Sequence, residues 1–255
     1  MLNYRERGFR PLGTMDGTDR PPLCAMEHLY DHFYKVLWKL LVRAPRRAGD
    51  RDLKPKVFAS ANGSEKERPG YVTTFAGCRH GDGASTMAYN FACAFASYSS
   101  RSVLLVDGNI RNPMLHLQIP ARKEVGLTDL VEGKASIDEA VTEITKDKYY
   151  FLRSGARSVN PVMLYESPEF LSVVERLRDT YDVTIFDSPP LVENPESVLL
   201  ASSTDGLILV LQADRTRWEV SLSAVRDLEG ARVPVIGAIL NKKRFIIPEP
   251  LYRLL

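Results

Sequence analysis

Cysteine is scarce in this chain: Cys24, Cys78 and Cys93 are the only three among 255 residues. An odd, sparse set without metal-ligand spacing argues against a disulfide scaffold and suits a reducing compartment. Long apolar runs are missing too, none approaching the roughly 18–20 residues that a membrane-crossing helix needs. The opening stretch MLNYRERGFRPLG has charge but no apolar segment, so it does not read as a secretory signal. No sign of charge dominates, with 34 Lys and Arg against 32 Asp and Glu, a net of +2. Without a basic stripe, that balance leaves no footprint for nucleic acid. No repeat of about 20–50 residues recurs, which excludes solenoids. What remains is an ordinary globular mix, 44% hydrophobic and 26% charged, in a length that suits one or two domains.

Residues 1–25, rich in Gly, Pro and charge, read as a disordered arm. Over 26–43, apolar residues at Met26, Leu29, Phe33, Val36, Leu37, Leu40 and Leu41 recur in steps of three and four, the spacing of an amphipathic helix. Lys35, Lys39 and Arg43 on its polar positions suit a membrane-surface helix as well as a packed one. A linker runs to 47, and 48–255 reads as one domain. From Tyr71 onward short β-rich runs alternate with helical ones: YVTTFAG, RSVLLVD, KYYFLRSG, DVTIFD, DGLILVLQA and PVIGAILN read as strands. The segments GLTDLVEG and SIDEAVTEI read as two short helices. Alternation of this kind predicts an α/β fold, a mostly parallel sheet with helices on both faces.

The first strand ends in GCRHGDGAST and opens a helix. Backbone N–H groups of such a turn point into a concavity at the positive end of the helix dipole, where a phosphate fits. Gly83 and Ser85 match the phosphate-loop pattern, whereas Cys78 and Ala84 stand at its first Gly and its Lys. Two further strands end in carboxylates, Asp107 in LLVDGNIRNP and Asp187 in IFDSPP. In an open α/β sheet ligands bind beyond the carboxyl ends of the strands, so these groups converge on one edge. Carboxylates beside a phosphate cradle hold Mg²⁺ or orient a nucleophile; each alone would serve equally as a turn or cap residue.

The order GDGAS, LLVDGNIRNP, IFDSPP and IGAILN resembles the bacterial tyrosine autokinases of capsular and exopolysaccharide biosynthesis, relatives of the division-site and partition ATPases. The resemblance runs from 26 to about 241 and implies a P-loop NTPase fold with a deviant Walker A motif. It implies ATP or ADP with Mg²⁺, bound by Gly81, Asp82, Gly83, Ala84, Ser85 and Thr86, with Asn241 at the adenine. Ser85, Asp107 and Asp187 would hold the metal, and Asp107 and Asp187 would be the catalytic carboxylates. The helix at 26–43 takes the place of the family's oligomerisation helix, so the chain is expected to form a homo-oligomer. A membrane-bound chain-length protein, a polysaccharide co-polymerase, is the implied partner, at the inner face of the membrane for an otherwise cytoplasmic chain. Tyr252 is the candidate phosphorylation site.

Four departures bear on catalysis. Ala84 removes the P-loop Lys, and Asn109 replaces the second Asp of the Asp-x-Asp-x-Arg motif that keeps Arg111. Tyr30 and Phe33 replace the arginines of the Glu-x-x-Arg-x-x-Arg motif after Glu27, and the tyrosine tail shrinks to Tyr252. Glu196 replaces an Asp, a milder change. Losing one preorganised donor removes about 3–4 kcal/mol of transition-state stabilisation, so the expectation is a pseudokinase with weakened or lost nucleotide binding. The rival expectation is an active kinase, or a slow ATPase switch, in which Arg79 replaces the missing charge. His80 and Cys78 read as a solvated loop residue and an inert thiol, and KKRF after Asn241 as a solvated turn.

Overall fold

The computed structural model describes residues 69–121, 123–156 and 160–242. The arm over 1–25, the helix and linker over 26–47, and Tyr252 lie outside the described residues. Seven strands form one sheet: β1 Tyr71–Gly77, β2 Val103–Asp107, β3 Val141–Thr145, β4 Tyr149–Leu152, β5 Val183–Asp187, β6 Gly206–Gln212 and β7 Val235–Asn241. Their spatial order is β3-β4-β2-β5-β1-β6-β7. All neighbours run parallel except β3 and β4. The central strands read as unbroken apolar runs because both faces are covered.

Side chains alternate between those faces. Phe75, Leu105, Ile185 and Ile208 point to α1 (Ala84–Tyr98), whose Phe91 and Phe95 fill that layer. The rings of Phe75 and Phe91 stand 5.1 Å apart. On the other face Val72, Leu104 and Phe186 meet α2 (Leu127–Val131), α4 (Pro161–Glu166) and α5 (Pro168–Thr180). Leu207 and Leu209 meet α6 (Glu196–Ser202) and α7 (Trp218–Gly230). Helices therefore cover both faces, as the alternation predicts.

One segment departs from the sequence reading. SIDEAVTEI is helical only over α3 (Ile137–Ala140), after which Val141–Thr145 becomes the antiparallel edge strand β3. Ser136 starts the helix with a capping box to Glu139. The β-branched Val141, Thr142, Ile144 and Thr145 then favour pairing with β4 over continuing it. The helix at Pro161–Glu166 has no counterpart in the sequence reading.

Chain order creates a switch point beside β1. From β1, α1 carries the chain past β5 to β2; from β5, α6 carries it past β1 to β6. Crevices at such points, outside the carboxyl ends, are where α/β sheets bind ligands. Among the described residues, no helix is long and apolar enough to cross a membrane.

Candidate functional site

The turn after β1 is held from three sides. The amides of Leu191 and Val192 donate to the carbonyls of Gly77 and Cys78 at 2.9 and 3.2 Å, seating the Pro189-Pro190 loop beside it. Asp82, 3% exposed, faces inward: one oxygen accepts from the Arg79 amide at 2.9 Å, the other from the Thr216 hydroxyl at 2.9 Å. Its own amide donates to the Arg79 carbonyl, and its carbonyl accepts from the Asn241 carboxamide at 2.9 Å. The Asp82 side chain therefore pegs the shape of the loop.

Gly81 and Gly83 take φ of 89° and 96°, the left-handed region that a side chain resists. A Cβ on Gly83 would also collide with the Asn241 amide nitrogen. At Ala84 the 15-residue α1 begins with no side-chain cap and no acidic residue in its first turn. Its first N–H groups are thus left for an anion, with Ser85 and Thr86 half-buried alongside. The Ala84 side chain is also half-buried, and its methyl brings no charge.

Two carboxylates flank this cradle. Asp107 and Asp187 end neighbouring parallel strands in register with each other. They are 0% and 1% exposed. Burial pushes the Asp107 carboxyl up to about 7, against the pull of amides from Leu115 and Asn109. Asp187 is raised well above the usual carboxylate range by burial first and by Asp107 second, with a Ser85 hydrogen bond opposing. The Asp187 Oδ1 is buried without a partner. An orphaned carboxyl oxygen beside a hydroxyl and a second carboxyl group suits a divalent cation, whose charge would favour the ionised form. No cluster of three or more His, Cys, Asp or Glu that could hold a metal occurs among the described residues. Mg²⁺ is bound by one or two carboxylates together with phosphate oxygens, and Asp107 and Asp187 are two such carboxyl groups on neighbouring strands. The residues present therefore fit both nucleotide phosphates and Mg²⁺.

Asn109 is spent on its own turn. Its amide donates to Asp107 at 3.3 Å and its Oδ1 accepts from the Asn112 amide at 3.2 Å. Arg111 donates through Nε to the buried Glu196, tying the β2 loop to the start of α6. Gly108 lets the backbone pass close to Asp187, since a Cβ there would lie 2.7 Å from the Asp187 carbonyl oxygen. The buried Tyr165 hydroxyl donates to the Gly108 carbonyl at 2.6 Å and feels the charges of Asp107, Glu196 and Asp187. Sequence reasoning assigned Tyr165 no role.

Other candidates separate. Arg79 and His80 are exposed on the loop. Cys78 is fully buried, and burial raises its thiol pKa, a Ser221 hydrogen bond opposing, as an inert residue requires. Asn241 reaches the loop from the end of β7. Lys242, read as part of a solvated turn, is exposed yet donates through Nζ to the Gly81 carbonyl at 2.5 Å. The link spans 161 positions, which is why no local pattern marked it.

No protein-family model matches the chain. Among curated proteins it is 32% identical over 164 residues to the tyrosine-protein kinase YwqD of Bacillus subtilis, covering 64% of this chain and 69% of that protein. It is 28% identical to the tyrosine-protein kinase CpsD of Streptococcus agalactiae, covering 64% and 72%. Among solved structures, the VpsO kinase domain superposes with a TM-score of 0.64 at 28% identity, covering 69% of this chain and 86% of that one. The cell division ATPase MinD of Pyrococcus furiosus shares the fold, with a TM-score of 0.58, 22% identity and coverage of 72% and 79%. With a relative of 32% identity covered over 69% of its length and these superpositions, the chain has the P-loop NTPase fold and belongs to the bacterial tyrosine-protein kinases.

Proposed function

We propose that this chain is a kinase-derived component of exopolysaccharide biosynthesis that binds nucleotide but transfers phosphoryl groups inefficiently. It would regulate or scaffold a membrane polysaccharide co-polymerase from the cytoplasmic side, with no nucleic-acid partner. One observation carries this reading. The α1 N-terminus and its glycine loop keep a phosphate cradle, while the residue that should carry the fixed cation is Ala84. Phosphoryl transfer depends on positioning and on charge placed against the developing negative charge.

In this reading the amides of the loop and of the α1 start hold the phosphates, and Ser85, Asp107 and Asp187 hold Mg²⁺. Mg²⁺ when bound neutralises phosphate charge. Asn109 supports the reading as well: a neutral amide is no general base, and its oxygen already accepts from Asn112. Calorimetry with ADP and Mg²⁺, phosphate release and anti-phosphotyrosine blotting on the full chain test it together. Binding with turnover far below the usual kinase range of ~1–100 s⁻¹ is expected; turnover inside that range overturns it.

The exposed Arg79 supports the rival switch, because its side chain is free to reach beyond its own loop. ATP-dependent dimerisation that Arg79→Ala abolishes would favour it.

A further inference from the structure

The Lys242 side chain is the feature of the loop that the reading above does not use. Three observations converge on it. It follows Asn241, whose carboxamide is bonded to the Asp82 carbonyl, so its backbone is anchored to the phosphate loop. Lys242 itself takes φ of 57°, the left-handed region, with its amide donating to the Asn241 Oδ1 at 2.8 Å. That reversal folds the side chain back over the loop, its Cε 3.9 Å from where a Cβ of Gly83 would stand and its Nζ on the Gly81 carbonyl. An ammonium has three donors, and one accounts for the bond to Gly81. A left-handed backbone at a residue other than glycine is strained, and here it sets a positive charge on the Gly81 carbonyl, at the rim of the glycine-rich loop.

We propose that Lys242 supplies, from the end of β7, the phosphate-binding charge that Ala84 does not, so that nucleoside di- and triphosphates are held by a cation in a different part of the chain. This rests on the nucleotide-binding reading above and deepens it. The side chain is exposed and reaches the loop from the outside, beyond an edge strand, so its ammonium does not stand within the loop as a P-loop lysine does. A charge placed in that way stabilises ground state and transition state alike, which tightens binding without speeding transfer. Nucleotide binding and weak catalysis are then compatible in one site.

The test is titration of the full chain with a fluorescent ADP analogue and Mg²⁺, with adenosine as a competitor. Lys242→Ala should weaken ADP binding about tenfold or more, flatten its salt dependence and leave competition by adenosine unchanged. Lys242→Arg should stay within about threefold of the parent. In an Ala84→Lys background, Lys242→Ala should change affinity by less than about twofold, because the charge is then supplied twice. Lys242 is exposed, and a thermal melt of each variant checks that the fold is kept. ADP binding by the parent with equal binding by Lys242→Ala overturns this proposal and leaves the nucleotide reading standing. Equal losses for ADP and adenosine overturn it as well, since the side chain would then shape the pocket and not meet phosphate. No ADP binding by the parent overturns both.

Discussion

Neutralising Asp107 separates a functional carboxylate from a structural one. Its side chain is 0% exposed, and burial raises its pKa from 3.8 to about 7. A carboxyl raised in the fold favours the protonated form, so its contribution is fully present below about pH 4 and is lost as pH rises through 7. About three pK units correspond to roughly 4 kcal/mol of stability lost once the group is fully ionised. An asparagine mimics the neutral acid, and its carbonyl oxygen can still accept from the Asn109 and Leu115 amides at 3.3 and 3.2 Å. Asp107→Asn should therefore come within about 0.6 kcal/mol of the parent at pH 4 and exceed it by about 2–4 kcal/mol at pH 8, both without metal. Urea unfolding in EDTA at pH 4 and pH 8 measures this, provided the slope with denaturant is unchanged. Mg²⁺ with ADP should stabilise the parent at pH 8 and the variant far less, since the variant lacks an anionic ligand. A variant less stable than the parent at pH 8 would refute the reasoning. Asp107 would then be a charge kept for the turn it caps.

Two further outcomes follow from other buried groups. Arg178 holds the start of β1 to the start of β6, its Nη1 2.6 Å from Asp205 and 3.0 Å from the Gly70 carbonyl, while Asp205 also accepts from the Val72 amide at 2.8 Å. Arg178→Ala leaves the half-buried Asp205 without its cation and should lower unfolding free energy by about 2–4 kcal/mol; chemical denaturation showing a loss below about 1 kcal/mol would contradict this. Cys78 is buried with its thiol pKa raised, so at pH 8 mass-spectrometric alkylation should label it at least tenfold more slowly in the native protein than in urea. Equal rates would make it an accessible thiol.

Much of the architecture was legible because its causes are local. Strands buried on both faces must be apolar throughout, so VLLVD and VTIFD announce themselves and place Asp107 and Asp187 at their ends. The glycine turn before α1 declares itself equally, since Gly81 and Gly83 occupy conformations that few other residues tolerate. The miss at Val141–Thr145 shows the limit: helical spacing and β-branched side chains compete there, and an available edge on β4 decides between them.

From its residues alone the chain determined the parallel strands, the loop and the family likeness, for each is carried by short patterns and their order. Tertiary structure decided what the loop residues do. Asp82 points inward because Thr216, 134 positions away, receives it, and Asn241 and Lys242 close on the loop across 159 and 161 positions. Those partners meet only when β1, β6 and β7 are laid side by side, and spacing along a sequence carries no record of which strands will become neighbours.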